Sequence, residues 1–170
     1  TSLSKREVKL LAEWERERRQ LITMDDVRAR VGPTAARDVA RDLVRKQALQ
    51  RVRPGRYVLR PFRASGRKSA PSTAVAIEAL LQGEAHYLGG LWALTFHRLS
   101  EQRYDSVLDA FVTHRLASRT IGAARVRFHV LDRAAFADGI QKAEIEGLLI
   151  PVSTVERTIL DALDHPRIFF

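Results

Sequence analysis

The sequence predicts an α+β chain with a basic helix-and-hairpin module at its N-terminus, on three observations. Residues 34–46 carry Arg37, Arg41 and Arg45 at four-residue spacing, and a helix turning about 100° per residue sets them on one stripe. Residues 49–60 follow at once, with Arg51 and Arg53 before a Pro54-Gly55 turn and Arg56 and Arg60 after it, the pattern of a hairpin. Beyond residue 72, helical and alternating stretches mix without a regular βαβ rhythm, which suggests α+β. A cationic helix stripe followed by a cationic hairpin fits a winged helix-turn-helix, its helix in a DNA major groove and its wing on the backbone.

Each N-terminal element has a local cause. Ser4-Lys-Arg-Glu7 has capping-box spacing, and Val8, Leu10, Leu11 and Trp14 follow it, predicting a first helix with Trp14 in the core. The Glu-Arg-Glu-Arg-Arg run over residues 15–19 reads as a solvated face. Thr23 caps a short second helix over residues 24–30, with Asp25 and Asp26 in its favourable first turn. Val31-Gly-Pro33 breaks it and supplies the tight turn. Thr34 is expected to cap the third helix, which buries Ala36, Val39, Ala40, Leu43 and Val44. In the hairpin, Tyr57 and Leu59 alternate with Arg56, Val58 and Arg60, so one face is apolar.

The remainder divides as follows. Residues 63–72, rich in Pro, Ser, Gly, Arg and Lys, read as a basic linker between a domain over 1–62 and one over 73–170. Ser72 opens a helix that stops near Gly83. Residues 87–97 enter a mostly apolar helix through a short strand or turn. Residues 106–113 and 125–131 read as strands, the second by the alternation of Val126, Phe128 and Val130. Residues 145–152 suggest a further strand or a hairpin, and Ser153-Thr-Val-Glu156 a second capping box before a helix through Leu163.

Charge bounds the function. The formal net charge of the 170 residues is +9. Residues 1–68 hold 19 Lys and Arg against 8 Asp and Glu, or +11, whereas residues 69–170 hold 10 against 12, or −2. The asymmetry puts any polyanion-binding surface in the N-terminal part. A merely solvated surface explains single arginines but not that imbalance. The absence of cysteine excludes disulfides and thiolate metal sites. No apolar run approaches the roughly 18 residues of a membrane span, and no signal-peptide pattern opens the chain, so a cytoplasmic protein with no membrane partner is expected.

Three segments in order resemble one family. Gln50-Arg-Val-Arg-Pro-Gly-Arg-Tyr-Val-Leu59, with the helices before it, is similar to the winged-helix domain of AbiEi-type antitoxins of type IV (abortive-infection) toxin–antitoxin systems. Tyr87-Leu-Gly-Gly-Leu-Trp-Ala-Leu-Thr-Phe-His-Arg-Leu-Ser-Glu-Gln102 resembles the family segment in which a small-residue helix ends in a His-Gly-Leu-Thr-like turn and a Gln, with Arg98 standing where Gly is expected. Pro151-Val-Ser-Thr-Val-Glu-Arg-Thr-Ile-Leu-Asp-Ala-Leu163 resembles the family's Val-Thr-x-x-Glu-Arg-Thr segment with its downstream Asp. The resemblance implies an autorepressor that binds operator DNA and neutralises a nucleotidyltransferase-like toxin. Such operators are inverted repeats, so a monomer or weak dimer pairing on the DNA is expected.

The expected DNA contacts are Thr34, Ala35, Arg37, Arg41, Arg45 and Lys46 on the helix and Arg51, Arg53, Arg56 and Arg60 on the hairpin. Hairpin arginines neutralise phosphates, and an early-helix arginine can bind guanine O6 and N7 bidentately. Asp38 and Asp42 either hold the arginines by i,i+3 and i,i+4 pairs or repel phosphate; pairing is favoured. In the second domain His97 with Gln102, and Glu156 with Arg157 and Asp161, are the candidates for an antitoxin role. Each also has an ordinary structural reading: a histidine on helix-end carbonyls, a capping glutamate, an i,i+4 ion pair. A metal-dependent nuclease reading rests on Glu144 and Glu146 with Asp132 and Asp138, but no lysine accompanies the acids. The histidines at 86, 97, 114, 129 and 165 lack zinc-like spacing, and no phosphate-binding glycine loop is present, so no metal or cofactor is expected. A ligand-responsive regulator and a toxin-modifying phosphotransferase are the remaining alternatives, and a non-enzymatic antitoxin is the favoured reading.

Overall fold

In the computed structural model the chain divides into two compact units, residues 1–71 and 72–170, and its helices and two sheets make it α+β. Residues 2–60, 72–104, 106–121 and 124–169 are described. The expected linker over 63–72 lies outside them except for Ser72. That residue caps a helix of the second unit through its hydroxyl, so it belongs to that unit. No helix among the described residues is long and apolar enough to cross a membrane.

The first unit runs α1 (Lys5–Arg16), β1 (Leu21–Thr23), α2 (Met24–Val31), α3 (Pro33–Arg45), β2 (Leu49–Arg53) and β3 (Arg56–Leu59). The capping box of α1 forms as the spacing predicts: Glu7 N donates to Ser4 Oγ at 3.3 Å and Ser4 N to the Glu7 carboxylate at 2.6 Å. Thr23 caps α2 and exchanges the same reciprocal bonds with Asp26. The run over 15–19 is exposed throughout, as expected, and from it Glu17 bonds Arg30 of α2 at 2.6 Å and Arg19 pairs with Asp26. The start of α3 also differs. Pro33 takes the first helical position, where its missing N–H is not needed and its φ already suits. Gly32 precedes it at φ +84°, a conformation that a side chain disfavours. Thr34 therefore lies inside the helix, exposed, and is not its cap.

Trp14, Ile22, Val27, Ala36, Leu43 and Leu49 form the centre of this unit's core, and Val39 and Val44 pack at its margin only partly buried. The three-residue β1 is too short for alternation to reveal. It pairs with β3, which makes a three-stranded antiparallel sheet in the order β1-β3-β2. With β3 in the middle, Tyr57, Val58 and Leu59 are all buried, where alternation predicts one apolar face.

The second unit runs α4 (Thr73–Leu81), β4 (His86–Gly89), α5 (Gly90–Phe96), β5 (Val107–Val112), β6 (Arg119–Ile121), β7 (Ala124–Val130), β8 (Ile140–Ile145), β9 (Leu148–Ser153), α6 (Val155–Asp164) and α7 (Pro166–Phe169). Its six strands form one mixed sheet in the order β6-β7-β5-β4-β9-β8. Successive side chains alternate between the faces of a sheet. By the registers Tyr87↔Phe111, Gly89↔Asp109, Asp109↔Arg127 and Phe111↔His129, all these residues share one face. Helices α5, α6 and α7 cover it: Leu91 N donates to Asp109, Arg157 to Tyr87 Oη, and Ile168 O accepts from Arg127. The opposite face carries Leu88, Leu108, Ala110 and Val126 and receives α4, whose Glu78 bonds His86 at 3.0 Å. Residues 145–152 resolve into the turn and second strand of a hairpin. Glu146 and Gly147 form its two-residue loop, at φ +51° and +82°, the positive-φ pair that matches strand twist.

Two helix ends depart from the sequence reading. Thr154, not Ser153, caps α6, its hydroxyl accepting from Arg157 N at 3.2 Å. Ser153 is buried instead, with its Oγ 2.8 Å from Thr158 Oγ1, so the capping box expected between Ser153 and Glu156 does not form. At the end of α5, Arg98 sits at φ +58°, with Arg98 N bonded to Thr95 O and Leu99 N to Leu94 O. That is a Schellman ending, whose left-handed position glycine usually fills. Arg98→Gly should therefore stabilise the second unit by about 1 kcal/mol, read as a raised denaturation midpoint; an unchanged or lowered midpoint would show that the arginine side chain offsets the backbone strain.

Candidate nucleic-acid interface

Helix α3 turns Ala36, Ala40 and Leu43 inward, which leaves Arg37 and Arg41 outward. The β2–β3 hairpin stands beside that face. Arg37, Arg41 and Val44 from α3 and Arg51, Gly55 and Tyr57 from the hairpin line one open cleft of about 340 Å³. Three arginines from two elements thus converge around a partly apolar floor. Arg41 donates to Asp38 Oδ1 at 2.6 Å and Arg45 to Asp42 Oδ1 at 3.0 Å, so both acids take the pairing role at i,i+3 spacing. The side chains of Arg37 and Arg51 make no hydrogen bond or ion pair among the described residues. Their donors are available to an anion in the cleft.

The other expected contacts sort differently. Thr34 is exposed and Ala35 half-buried at the start of α3. Arg45 stays exposed but lies outside the cleft, which Val44 lines instead. Arg53 and Arg56 face each other across the Pro54-Gly55 turn, half-buried and each already engaged. Two residues leave the set. Lys46, at the C-cap of α3, is drawn inward to Glu7, with its Nζ 2.7 and 2.8 Å from the two carboxylate oxygens and side-chain exposures of only 10% and 8%. Its charge suits a helix C-terminus and the acid beside it, and so is not offered to DNA. Arg60 lies in a separate groove with Leu3, Val8, Leu11 and Ala48, near Gln50 Oε1 at 3.4 Å. Burial pushes the Glu7 carboxyl up, but hydrogen bonds from Lys46 and Ser4 outweigh it and hold the group below its ordinary value of 4.5.

The second unit gathers its charged groups into two buried networks on one sheet face. Asp109 is fully buried and accepts from Arg127 Nε at 2.7 Å and Nη2 at 2.9 Å, from His129 Nε2 at 2.7 Å and from Leu91 N at 3.1 Å. Burial pushes its carboxyl up, and the bonds from His129 and Arg127 overcome that and hold it low. The approach needs Gly90, where a Cβ would stand 2.4 Å from the Asp109 carboxylate. Arg127 continues to Ile168 O at 3.0 Å, tying α7 to the sheet. In the second network Arg157 Nε donates to Asp161 Oδ1 at 2.7 Å, Nη2 to Tyr87 Oη at 3.0 Å, and Nη1 to the carbonyls of Ala135 and Asp138. Tyr87 Oη donates to Asp161 Oδ2 at 2.9 Å, and its ring stacks on Phe111 at 4.6 Å. Burial, then the Asp161 charge, pushes the Tyr87 hydroxyl far up, so it stays a donor.

These networks relocate the second-unit candidates. Arg157 and Asp161 face inward, with the partners just named. His97 Nε2 bonds Ser153 O at 2.6 Å, the helix-end carbonyl role in a tertiary form. Gln102 is exposed and accepts from Tyr104 Oη at 3.3 Å, apart from that pair in its bonding. Glu144 lies exposed on β8, whereas Glu146 sits in the turn and accepts from Ser72 N, so the two acids do not share a strand face. Among the described residues no three His, Asp or Glu side chains form a metal-binding group. Asp109, Arg127 and His129 escape sequence reading. The signal was the second face of β7, Arg125-x-Arg127-x-His129, opposite the apolar one.

No protein-family model matches the chain, and no curated protein matches it. Among solved structures it resembles the crystal structure of the RV2827C protein from Mycobacterium tuberculosis, with a TM-score of 0.70 at 15% sequence identity. The likeness covers 99% of this chain and 64% of that one, so the chain spans a little under two thirds of its neighbour's length. At that identity the likeness concerns the fold.

Three substitutions test the Lys46–Glu7 pair and the Tyr87 network. Lys46→Ala strands a largely buried carboxylate and should cost about 2 kcal/mol, between the limits for surface and fully buried pairs. Because the folded Glu7 pKa lies below 4.5, its contribution is present above that pH and fades as pH falls through the folded value. Glu7→Gln should remove this acid-sensitive component from denaturation midpoints measured between pH 3 and pH 7 (roughly the carboxylate range), and an unchanged pH profile would dissociate Glu7 from it. Tyr87→Phe keeps the stack on Phe111 but removes a donor to Asp161 and an acceptor for Arg157, so it should destabilise by about 1–3 kcal/mol in equilibrium unfolding.

Proposed function

We propose that the first unit is a winged helix-turn-helix that binds duplex DNA, with α3 as recognition helix and the β2–β3 hairpin as wing. The observation that carries this reading is the cleft in which Arg37, Arg41 and Arg51 meet from the helix and the hairpin, two of them with no side-chain partner among the described residues. A major groove is wide enough for an α-helix, and guanidinium groups match both guanine edges and phosphates. Arg41, held by Asp38, is pre-oriented and suits base reading, while Arg51 on the hairpin suits the backbone. The +11 of residues 1–68 supplies long-range attraction.

The same proposal assigns an antitoxin that represses its own operon from an inverted-repeat operator. The resemblance of residues 50–59, 87–102 and 151–163 to AbiEi-type antitoxins supports this part, and it names a nucleotidyltransferase-like toxin as the target of the second unit. We read that unit as a binding module rather than an enzyme. Its Asp109 and Asp161 carboxylates already accept four and two side-chain or backbone donors, respectively, and so serve the fold.

Anisotropy titrations on a duplex from the chain's own upstream region, with a shuffled duplex as control, test the reading. Arg37→Ala and Arg41→Ala should each cost about 1–3 kcal/mol on the specific duplex and narrow its margin over the control. Arg51→Ala should weaken both duplexes alike and lower the salt slope by about 1. Binding of an Arg37→Ala/Arg41→Ala/Arg51→Ala variant that matches the unsubstituted chain at physiological salt would overturn the assignment.

A further inference from the structure

Helix α6 is amphipathic in reverse. Its buried residues are Thr158 and Asp161, engaged with Ser153 and Tyr87, whereas Ile159, Leu160 and Leu163 are 50%, 55% and 72% exposed. Residues 159, 160 and 163 follow helical spacing and form one outward stripe. Phe96 and Leu99, also exposed, flank His97, which bonds Ser153 O just before the helix. Val130 and Leu149 are also exposed, on separate strands, but the three apolar residues of α6 lie side by side on one helix face, and such a patch marks a binding face.

We propose that this stripe docks an amphipathic helix of a partner protein that carries basic residues at both ends of its apolar seam. The charges on α6 select that occupant. Glu156 and Asp164 are exposed one turn before and one turn after Leu160, on the same side of the helix. They close the stripe with an acid at each end, about 12 Å apart at the helical rise per residue. Glu156 bonds its own N–H and the Thr154 side chain, which hold its carboxyl below its ordinary value. A second copy fits poorly. Antiparallel pairing of two α6 helices about Leu160 sets Glu156 of one against Asp164 of the other, and parallel pairing sets each acid against itself. An anionic membrane surface and a nucleic acid are disfavoured by the same acids and by the −2 of residues 69–170. A partner helix with Lys or Arg eight residues apart around an apolar seam satisfies both the stripe and its ends. The inference concerns the face and the chemistry of its occupant, and it stands whether or not the first unit binds DNA.

The test uses the whole chain and two labelled synthetic helical peptides with the same leucine stripe, one flanked by lysines and one by glutamates. The lysine peptide should bind about tenfold more tightly in anisotropy titrations, with the gap narrowing at high salt. Glu156→Lys/Asp164→Lys should reverse the preference, and Leu160→Gln/Leu163→Gln should abolish binding of the lysine peptide without shifting the thermal midpoint. Equal binding of the two peptides, or binding insensitive to the leucine substitutions, overturns the proposal. So does a dimer of the unsubstituted chain that Leu163→Gln dissolves, or sedimentation with phosphatidylglycerol vesicles through the same leucines.

Discussion

The carboxylate of Glu7 is the point on which the first unit turns. It completes the capping box that starts α1, and it also takes the Lys46 ammonium that ends α3. One group therefore joins the first turn of one helix to the last turn of another 39 residues on. Once that end of α3 is fixed against α1, and Ala36, Ala40 and Leu43 are buried, the rotation of α3 about its axis is set. The side that carries Arg37 and Arg41 then turns outward, toward the cleft beside the hairpin. The same lysine that looked like a DNA contact is what orients the arginines.

The second unit solves a related problem on a sheet. One face of its central strands is apolar except for His86, which Glu78 of α4 answers. The other carries Tyr87, Asp109, Arg127 and His129, and the helices above it meet those groups with their own charges and backbone. Burying such groups without partners is expensive, so each must be answered at hydrogen-bond distance. Asp109 has four donors and Arg157 reaches two carbonyls, a carboxylate and a hydroxyl. Networks of this kind add specificity of arrangement more than net stability, because desolvation offsets much of the Coulomb gain. Here they fix how α5, α6 and α7 lie on the sheet, and Gly90 is the residue whose small size lets one of them form.

Local signals in the sequence foretell the elements that local chemistry decides. Ser4 with Glu7, Thr23, Gly32-Pro33, Pro54-Gly55 and Ser72 all act where the chain itself chooses a turn or a cap. One error is itself local, Thr34 losing the cap to the glycine–proline pair before it; the others arise where tertiary demand wins, as where Ser153 gives up its cap to pack beside Thr158. Strand β1 exists because β3 offers it an edge, which no three-residue pattern announces. The cleft was half legible: the arginine stripe is written at four-residue intervals, but that Arg51 joins Arg37 and Arg41 while Lys46 and Arg60 do not depends on the packing of α1 and the hairpin. The Asp109 network was illegible for a sharper reason. Its members become neighbours only through the register of β5 against β7, and register is a long-range property.

Arginine content alone therefore says little about function in this chain, and the accounting of partners says more. Arg127 and Arg157 belong to the unit with almost balanced charge, and their guanidinium groups are taken up by carboxylates, carbonyls and a tyrosine. Arg37 and Arg51 belong to the basic unit and meet no protein acceptor among the described residues. Arg41 is intermediate, its exposed pair with Asp38 weak enough for a stronger anion to displace. The same bookkeeping separates the two sides of α6. Its inward polar side chains, Arg157, Thr158 and Asp161, are consumed within the fold, and its outward Ile159, Leu160 and Leu163 stay half or more exposed. In both units the residues left without a match point outward, cationic in one and apolar between acids in the other. The two surfaces proposed above therefore differ in chemistry, a basic cleft in one unit and an apolar stripe between acids in the other, and suit two different partners.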